Sequence, residues 1–397
     1  MTADTLPGHH DQAGGPVEPG GSADRNGHGG TDARGARRRG GLAARIEGAT
    51  PATRDRAVDG LRAVAILGVV LGHWLVTALV AESGTIRVTS PLKLLPEMTP
   101  LSWAFQTLAL FFLVGGMTAA TSYTGSYALW LRRRLVRLAR PVLPVVLVWA
   151  GAAGVMLASG SAVDTVAALV RLVVSPLWFL LVFAALTAAT PLVLRLHPGW
   201  PLAVVVVVDV LRYGLAAPEW LGWVNLAAGW LVPYTLGTAW AAGRWRGRAA
   251  RWGLLAGGAA AVAALVVWAG YPAAMVGVPG APVSNLNPPT LAAVAFGLAQ
   301  CGAGLLAYRP LGRVLRRPAA WAATALVNLS AMTIFLWHQT AMIAVTALAL
   351  PMGPLPGVHT APGEAAWLGW RLTWLPVFGA ALLVCLAAFR SSERPRP

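Results

Sequence analysis

Three polar residues near the start of the first long apolar stretch have the types and spacing needed for chemistry. Asp59 and Arg62 are three positions apart, so a helix places them on one face, where they can pair. His73 follows Arg62 by eleven positions, which is about 20° beyond three helical turns and about 16 Å further along the axis. Arg62 and His73 therefore share a face, and a neutral imidazole there can act as a general base or as a nucleophile. The structural alternative is that Asp59 and Arg62 are boundary charges and that His73 packs internally.

A second histidine, His338, lies within another long apolar stretch. It is close in sequence to polar residues that commonly link membrane helices by hydrogen bonds, namely Ser330, Thr333, Gln339 and Thr340. An ionisable side chain inside such a stretch costs about 2.5 kcal/mol or more, which makes each one a candidate functional residue. His338 is therefore a second catalytic candidate, with structural hydrogen bonding as the alternative.

Four other polar residues are candidates for binding a substrate: Asp209, Arg212, Asn285 and Arg371. Asp209 and Arg212 are three positions apart and can instead neutralise each other as a structural ion pair. Arg371 lies near the outer end of the last apolar stretch, where its long side chain can reach the membrane surface or a polar substrate. Asn285 lies in an uncharged connection with several prolines, where its side chain can cap a turn or bind sugar hydroxyls.

Arginines are interleaved with apolar residues between Tyr127 and Pro141, which predicts a basic amphipathic helix at the cytoplasmic surface. Such a helix contacts anionic lipid headgroups. Alternatively, Arg133, Arg134 and Arg137 can bind an anionic cofactor, because planar guanidinium groups grip phosphates in a bidentate way.

The composition indicates which elements must position these residues. Of the 397 residues, 56% are hydrophobic and 12% are charged, whereas soluble proteins have about 25% charged residues. This deficit argues against a soluble globular enzyme and indicates an integral membrane protein. Ten apolar stretches are long enough to cross a hydrocarbon core of about 30 Å, which predicts an all-α, polytopic fold with about ten transmembrane helices. The stretches are 57–81, 101–121, 141–159, 176–195, 200–216, 221–242, 252–270, 290–308, 325–350 and 366–389.

The distribution of basic residues predicts the topology. Lys and Arg together number 31, against 15 Asp and Glu, for a net charge of +16. With ten spans and a cytoplasmic N-terminus, 25 of the basic residues lie on the cytoplasmic side and three on the other. This asymmetry follows the positive-inside rule and places both termini in the cytoplasm. The basic excess is thus explained by the lipid bilayer, and no nucleic acid is predicted as a partner.

Two terminal segments flank the predicted transmembrane domain of residues 54–389. Residues 1–53 contain almost no large apolar side chains, which predicts a disordered cytoplasmic tail. Residues 390–397 are predicted to form a short basic cytoplasmic tail. Cys301 and Cys385 both lie in apolar stretches, so neither a disulfide framework nor a metal cluster is predicted.

Several motifs resemble those of the membrane-bound acyltransferase 3 family, over about residues 54–389. They are Asp59-Gly60-Leu61-Arg62 followed by His73, Phe111-Phe112-Leu113-Val114-Gly115-Gly116, Arg133-Arg134-Leu135-Val136-Arg137 and Leu336-Trp337-His338. The chain departs from the family pattern at Gly115, where Ser is frequent. It departs again at Phe183, which stands in place of the Glu in a Trp-x-Leu-x-x-Glu motif beginning at Trp178. The second departure leaves the class of acceptor open.

The resemblance implies an enzyme that moves an acyl group, commonly acetyl, from cytoplasmic acyl-CoA to a hydroxyl group. The acceptor would be a glycan or another extracytoplasmic or lipid-linked molecule, and no metal is implied. In this interpretation the donor is bound by arginines, namely Arg62, Arg133, Arg134 and Arg137. His73 is then the base or the acyl carrier, and His338 is a second catalytic residue. We expect such a multi-pass protein in the plasma membrane.

Two other functions fit the same features. A transporter or flippase for a lipid-linked glycan or a small anion would also have many spans and intramembrane charges. It would not need basic cytoplasmic residues coupled to a deep histidine. A non-catalytic membrane scaffold would tolerate replacement of His73 and Arg62.

Overall fold

The computed structural model describes residues 41–82 and 85–393, most of which are helical. The first half contains α1 (Leu42–Gly48), α2 (Arg56–Val76), α3 (Pro91–Leu94), α4 (Thr99–Phe105), α5 (Leu108–Ser122), α6 (Tyr127–Ala139), α7 (Val142–Ala158), α8 (Val163–Val174), α9 (Leu177–Ala188) and α10 (Thr190–Val193). The second half contains α11 (Gly199–Asp209), α12 (Val224–Ala241), α13 (Arg248–Trp268), α14 (Leu291–Val314), α15 (Pro318–Leu329), α16 (Ala331–Ala349) and α17 (Ala366–Phe389). Short 3₁₀ turns lie at Pro96–Met98, Glu219–Trp223, Leu350–Met352 and Arg390–Glu393, and a π-helical turn lies at Val210–Gly214.

Eight helical segments of the described residues are long and apolar enough to cross a membrane, so the chain is a multi-pass membrane protein. They coincide with eight of the ten predicted spans. The other two predicted spans fall on α11 and α12. The count of ten and the cytoplasmic position of both termini stay predictions. The basic segment after Tyr127 forms the helix α6, as its pattern predicts.

The first span is shorter than predicted. We expect helix up to residue 81, but α2 ends at Val76 and the backbone of Thr77 is extended. The chain then forms a β-hairpin of β1 (Ala78–Glu82) and β2 (Thr85–Thr89), with Ala78 opposite Thr89. The side chain of Arg371 binds the carbonyl groups of Trp74 and Thr77, which satisfies backbone acceptors that a helix end leaves free.

Part of the predicted tail is ordered. Residues 41–53 lie within the segment 1–53 that we expect to be disordered, yet they include α1, which packs against α15. Residues 1–40 and 394–397 lie outside the described residues. At the other terminus, residues 390–393 form a 3₁₀ turn whose Glu393 carboxylate accepts hydrogen bonds at the start of α16.

The helix α2 lies in the middle of the bundle, where it packs against α4, α5, α14, α15 and α16. The helices α5 and α12 approach especially closely. A β-carbon at Gly116 would collide with the Tyr234 carbonyl, and one at Gly237 would collide with the Leu113 carbonyl. Small residues allow such close helix crossings in membranes. Large buried side chains fill the surrounding core, among them Phe112, Leu113 and Tyr234.

Candidate active site

The two intramembrane histidines meet in the core of the bundle. His73 comes from the last turn of α2 and His338 from the middle of α16, and their ring centroids are 5.0 Å apart. A hydrogen bond of 3.0 Å from the Trp74 indole Nε1 to the His338 carbonyl fixes the two helices at this level. The structure thus brings together the two residues that the sequence identifies as catalytic candidates.

The hydrogen bonds of His338 define which nitrogen is basic. Its Nδ1 lies 2.7 Å from the Phe335 carbonyl oxygen, which can only accept, so Nδ1 carries the proton and donates. In the neutral ring, Nε2 then has a free lone pair. The side chain is completely buried, and Nε2 has no hydrogen-bond partner among the described residues. A buried, oriented and unpartnered imidazole nitrogen is suited to accept a proton or an acyl group.

The partner of His73 is the side-chain amide of Gln339, whose Nε2 lies 3.0 Å from His73 Nδ1. Gln339 is fully buried, and its Oε1 has no partner among the described residues. Rotating the amide by 180° exchanges its donor and its acceptor. Gln339 can therefore donate to an unprotonated Nδ1 or accept from a protonated one, and it holds the His73 ring in either tautomer.

His73 lines a cavity of about 260 Å³ that lies at the C-terminal end of α2. The walls are mostly apolar and include the aromatic rings of Phe105, Trp178 and Phe335. Polar groups come from one amide and several hydroxyls, namely Gln106, Thr77, Thr89, Ser90, Ser102 and Ser175. The described residues that line it include no Asp, Glu, Lys or Arg. By the predicted topology this cavity is on the extracytoplasmic side, and it is therefore called the outer cavity.

Arg62 and Asp59 pair as their spacing predicts, with 3.2 Å between Arg62 Nη1 and Asp59 Oδ1. Asp59 also pairs with Arg54 at 2.5 Å, so one nearly buried carboxylate is shared by two guanidinium groups. The side chains of Arg134 and Arg137 are close enough to Arg62 to interact with it electrostatically. This group lies at the N-terminal end of α2, opposite to the outer cavity.

The arginines of α6 have different environments. Arg134 donates to the Thr118 carbonyl and to Ser122 Oγ, and its guanidinium lies 5.4 Å from the centre of the Trp130 ring. Arg133 and Arg137 are exposed. Of the four arginines proposed to bind a donor, Arg62, Arg134 and Arg137 interact electrostatically with one another, and Arg133 is not among the residues that act on Arg62.

The two departures from the family pattern lie against each other. A β-carbon at Gly115 would overlap the ring of Phe183, which is the residue in place of Glu. Phe183 packs in an aromatic cluster, with ring centroids 5.2 Å from Phe111 and 6.2 Å from Phe179. The small residue on α5 therefore makes room for the large one on α9.

Asp209 and Arg212 do not form the ion pair that their spacing allows, so that structural alternative is wrong. The Asp209 carboxylate accepts hydrogen bonds from Asn225 Nδ2 at 2.8 Å and from the Tyr271 hydroxyl at 2.9 Å, and a third from the Leu291 backbone. Burial, together with the charge of Asp209, raises the pKa of the Tyr271 phenol above its usual range. This group joins α11, α12 and α14, and none of its residues lines the outer cavity.

Arg371 is completely buried and binds backbone carbonyls. Its Nε donates to Trp74 at 2.6 Å, and its two terminal nitrogens donate to Gly357 and Thr77 at 2.8 Å each. All three nitrogens are thus occupied within the protein. Because Trp74 is the neighbour of His73, Arg371 stabilises the C-terminal end of α2 next to that histidine.

Asn285 is also fully buried, and its side chain holds its own connection together. Its Nδ2 donates to the carbonyls of Pro272 and Ala274, and its Oδ1 accepts from Thr290 at 2.6 Å. This is the turn-capping role that the sequence allows. Asn285 does not line the outer cavity, but the adjacent Leu286 does.

These features define a polytopic helical membrane protein in which the half-buried His73 lies against the fully buried His338. The two histidines lie between an uncharged outer cavity and a group of arginines at the opposite end. The chain matches the family model described as "Acyltransferase domain" over residues 55–390, and it belongs to this acyltransferase 3 family. No curated protein and no solved structure matches the chain. Membership implies a membrane acyltransferase that uses an acyl donor and a hydroxyl acceptor. Among the described residues there is no group of three or more His, Cys, Asp or Glu that could hold a metal ion.

Proposed function

We propose that the protein is a plasma-membrane O-acyltransferase that moves an acyl group, preferably acetyl, from cytoplasmic acyl-CoA to a hydroxyl group. The acceptor is a glycan or another extracytoplasmic or lipid-linked molecule. The observation that carries the proposal is the position of His73, which lines the outer cavity and lies against a second, fully buried histidine.

The chemistry needs one base and a water-poor site. The acceptor hydroxyl, bound in the cavity, gives its proton to His73 Nε2 while its oxygen attacks the thioester carbonyl of the donor. The new C–O bond forms, the C–S bond breaks, and the proton passes to the CoA thiolate. In the route through an acyl-histidine, an imidazole nitrogen attacks the thioester carbonyl, the C–S bond breaks and CoA leaves as the thiolate. The acceptor oxygen then attacks the acyl group and the C–N bond breaks, while the other histidine of the pair takes the acceptor's proton, which passes to the thiolate.

The donor is proposed to approach from the arginine end. Arg62 of α2 and Arg134 and Arg137 of α6 attract the phosphates of CoA. Arg133 lies at the exposed surface of α6. The pantetheine arm then extends along α2 over the roughly 16 Å that separate Arg62 from His73. Asp209, Asn285 and Arg371 are not part of this route, because their side chains are engaged elsewhere. Arg212 lies over the ring of the adjacent Tyr213 and does not line the outer cavity.

The test uses purified protein in nanodiscs with radiolabelled acetyl-CoA, comparing the wild type with His73→Ala. We expect CoA release, or label on the protein, that disappears in the variant. Wild-type protein that binds acetyl-CoA without turnover would show that an acceptor must be added. If folded wild-type protein binds no acyl-CoA of any chain length, the acyltransferase proposal is wrong and a transporter is favoured.

A further inference from the structure

A second cavity lies at the N-terminal end of α2, and half of the described residues that line it are arginines. It has a volume of about 810 Å³ and lies between residues 53–57 and the C-terminal end of α14. This volume is within the range of about 300–1,000 Å³ that is typical of ligand sites. The charged residues that line it are Arg54, Arg56, Arg309, Arg313, Arg316 and Asp55. None of these belongs to the motifs that carry the family resemblance.

Only some of the charged side chains that line the cavity have a partner of opposite charge. Arg54 pairs with Asp59, and Arg56 pairs with Glu47 at 2.6 Å. Among the described residues that line the cavity, the one carboxylate is that of Asp55, which accepts from the Val58 backbone and from the Tyr308 hydroxyl at 2.7 Å. In contrast, Arg309, Arg313 and Arg316 are exposed, and no ion pair of the described residues includes them.

The three arginines lie at the C-terminal end of α14 and in the turn that follows it. Arg309 and Arg313 are four positions apart, so they project from one face of the helix, and Arg316 lies in the turn after Val314 and lines the same cavity. Like charges at this spacing repel each other, and a bound anion removes that repulsion. Guanidinium groups form bidentate hydrogen bonds with phosphate oxygens, which makes phosphate the best-fitting anion.

The cavity is connected to α2, the helix that carries His73, by the carboxylate of Asp59. Arg54 lines the cavity and pairs with Asp59, and the same carboxylate binds Arg62. A phosphorylated ligand in the cavity therefore lies beside the arginine group from which the route to His73 begins.

We propose that this cavity binds the phosphorylated nucleotide end of the acyl donor, with Arg309, Arg313 and Arg316 holding the phosphomonoester on its ribose, while Arg62, Arg134 and Arg137 attract its diphosphate. A phosphomonoester, such as the one on the ribose of CoA, carries about −1.5 to −2 charges at pH 7. This inference rests on the proposed function, since it assigns a site for the same donor. Anionic lipid headgroups carry the same phosphate chemistry, so the experiment must separate the two sources.

The test measures CoA binding to full-length protein in nanodiscs of zwitterionic lipid, comparing the wild type with Arg309→Gln/Arg313→Gln/Arg316→Gln. We expect CoA binding to weaken at least about tenfold, because several charge-assisted hydrogen bonds are lost. Dephospho-CoA, which lacks the phosphomonoester, should bind the wild type more weakly than CoA does. The triple variant should discriminate less between the two ligands.

A matched control removes the same number of charges elsewhere on the predicted cytoplasmic side. Arg244, Arg246 and Arg248 are exposed and do not line the cavity, so the corresponding triple Gln variant should bind CoA like the wild type. Equal weakening in both variants would show a general charge effect and overturn the assignment. Unchanged CoA binding in the first variant, with less co-purified anionic lipid, would assign the cavity to lipid headgroups instead.

A measurement on the wild type alone covers the case in which the triple variant does not fold. CoA should protect Arg309, Arg313 and Arg316 from modification by phenylglyoxal, as mapped by peptide mass spectrometry, and should leave Arg244 and Arg248 unprotected. Equal modification of the three arginines with and without bound CoA would overturn the proposal. If the wild type binds no CoA at all, the proposed function fails together with this site. If it binds CoA without involving these arginines, only this site fails.

Discussion

His73 and His338 lie with their ring centroids 5.0 Å apart, but they have opposite surroundings. His73 lines the outer cavity and is oriented by a side-chain amide. His338 is fully buried and is oriented by a backbone carbonyl, which leaves Nε2 free. One ring is thus accessible from the cavity, and the other presents a nitrogen with a free lone pair inside the protein.

In the acyl-histidine route one histidine carries the acyl group and the other moves the proton, so replacing His338 by Ala should lower kcat by about 10²- to 10⁴-fold, the usual contribution of a positioned acid–base group. The bond from Trp74 Nε1 to residue 338 uses the backbone carbonyl, so it is retained in the variant. The protein should therefore still fold, as size-exclusion chromatography and thermal unfolding can show. Near wild-type kcat in the folded variant would leave His338 with a structural role only.

Gln339 should act as a positioning residue for His73. Gln339→Met, which removes the hydrogen bond at similar length, should lower kcat by about 10- to 100-fold, as is typical when a partner that orients a histidine is lost. Gln339→Glu should retain more activity, because a carboxylate can accept from His73 Nδ1–H and leave Nε2 as the base. Steady-state kinetics separate the two variants. Equal losses in both, accompanied by a lower Tm, would indicate that Gln339 only fills space.

The sequence predicts the membrane class and the position of most helices, because apolar length and basic residues respond directly to the bilayer. It does not predict that α2 ends at Val76, since residues 77–81 are as apolar as a helix end would be. Two predicted spans, 200–216 and 221–242, do not form helices that are long and apolar enough to cross a membrane, and each has a local cause. The α-helix α11 ends at Asp209 after 11 residues, and α12 contains Asn225, Pro233 and two threonines.

The candidate site could be predicted where spacing along one helix decides the geometry, as for Asp59 with Arg62. Spacing gave the wrong partner for Asp209, because its actual partners Tyr271 and Leu291 are 62 and 82 positions away in sequence. The pairing of Gln339 with His73 spans 266 positions and has no local signal either. Only the polar character of Gln339 inside an apolar stretch indicated that it has an interhelical partner.

The contact between Gly115 and Phe183 predicts a coupled substitution. Gly115→Ser alone should destabilise the protein by about 1–3 kcal/mol, because the new side chain overlaps the Phe183 ring. Phe183→Leu should relieve this overlap, so the double variant should be more stable than the sum of the single changes predicts. Thermal or chemical unfolding of the purified variants measures the coupling. Additive effects would show that the two residues adjust independently.

Arg371 should contribute to stability more than to substrate binding. Arg371→Met leaves the carbonyls of Trp74, Thr77 and Gly357 without their donor, which should cost at least about 3 kcal/mol and lower the Tm of the purified protein. Arg371→Lys should not restore the Tm, because one ammonium group cannot reach three carbonyls that a planar guanidinium spans. If Arg371 instead binds the acceptor, the Met variant should keep the wild-type Tm and show a raised KM. Measuring Tm and KM on the same preparations separates the two roles. Because all three guanidinium nitrogens of Arg371 donate to backbone carbonyls, we expect the Tm to fall.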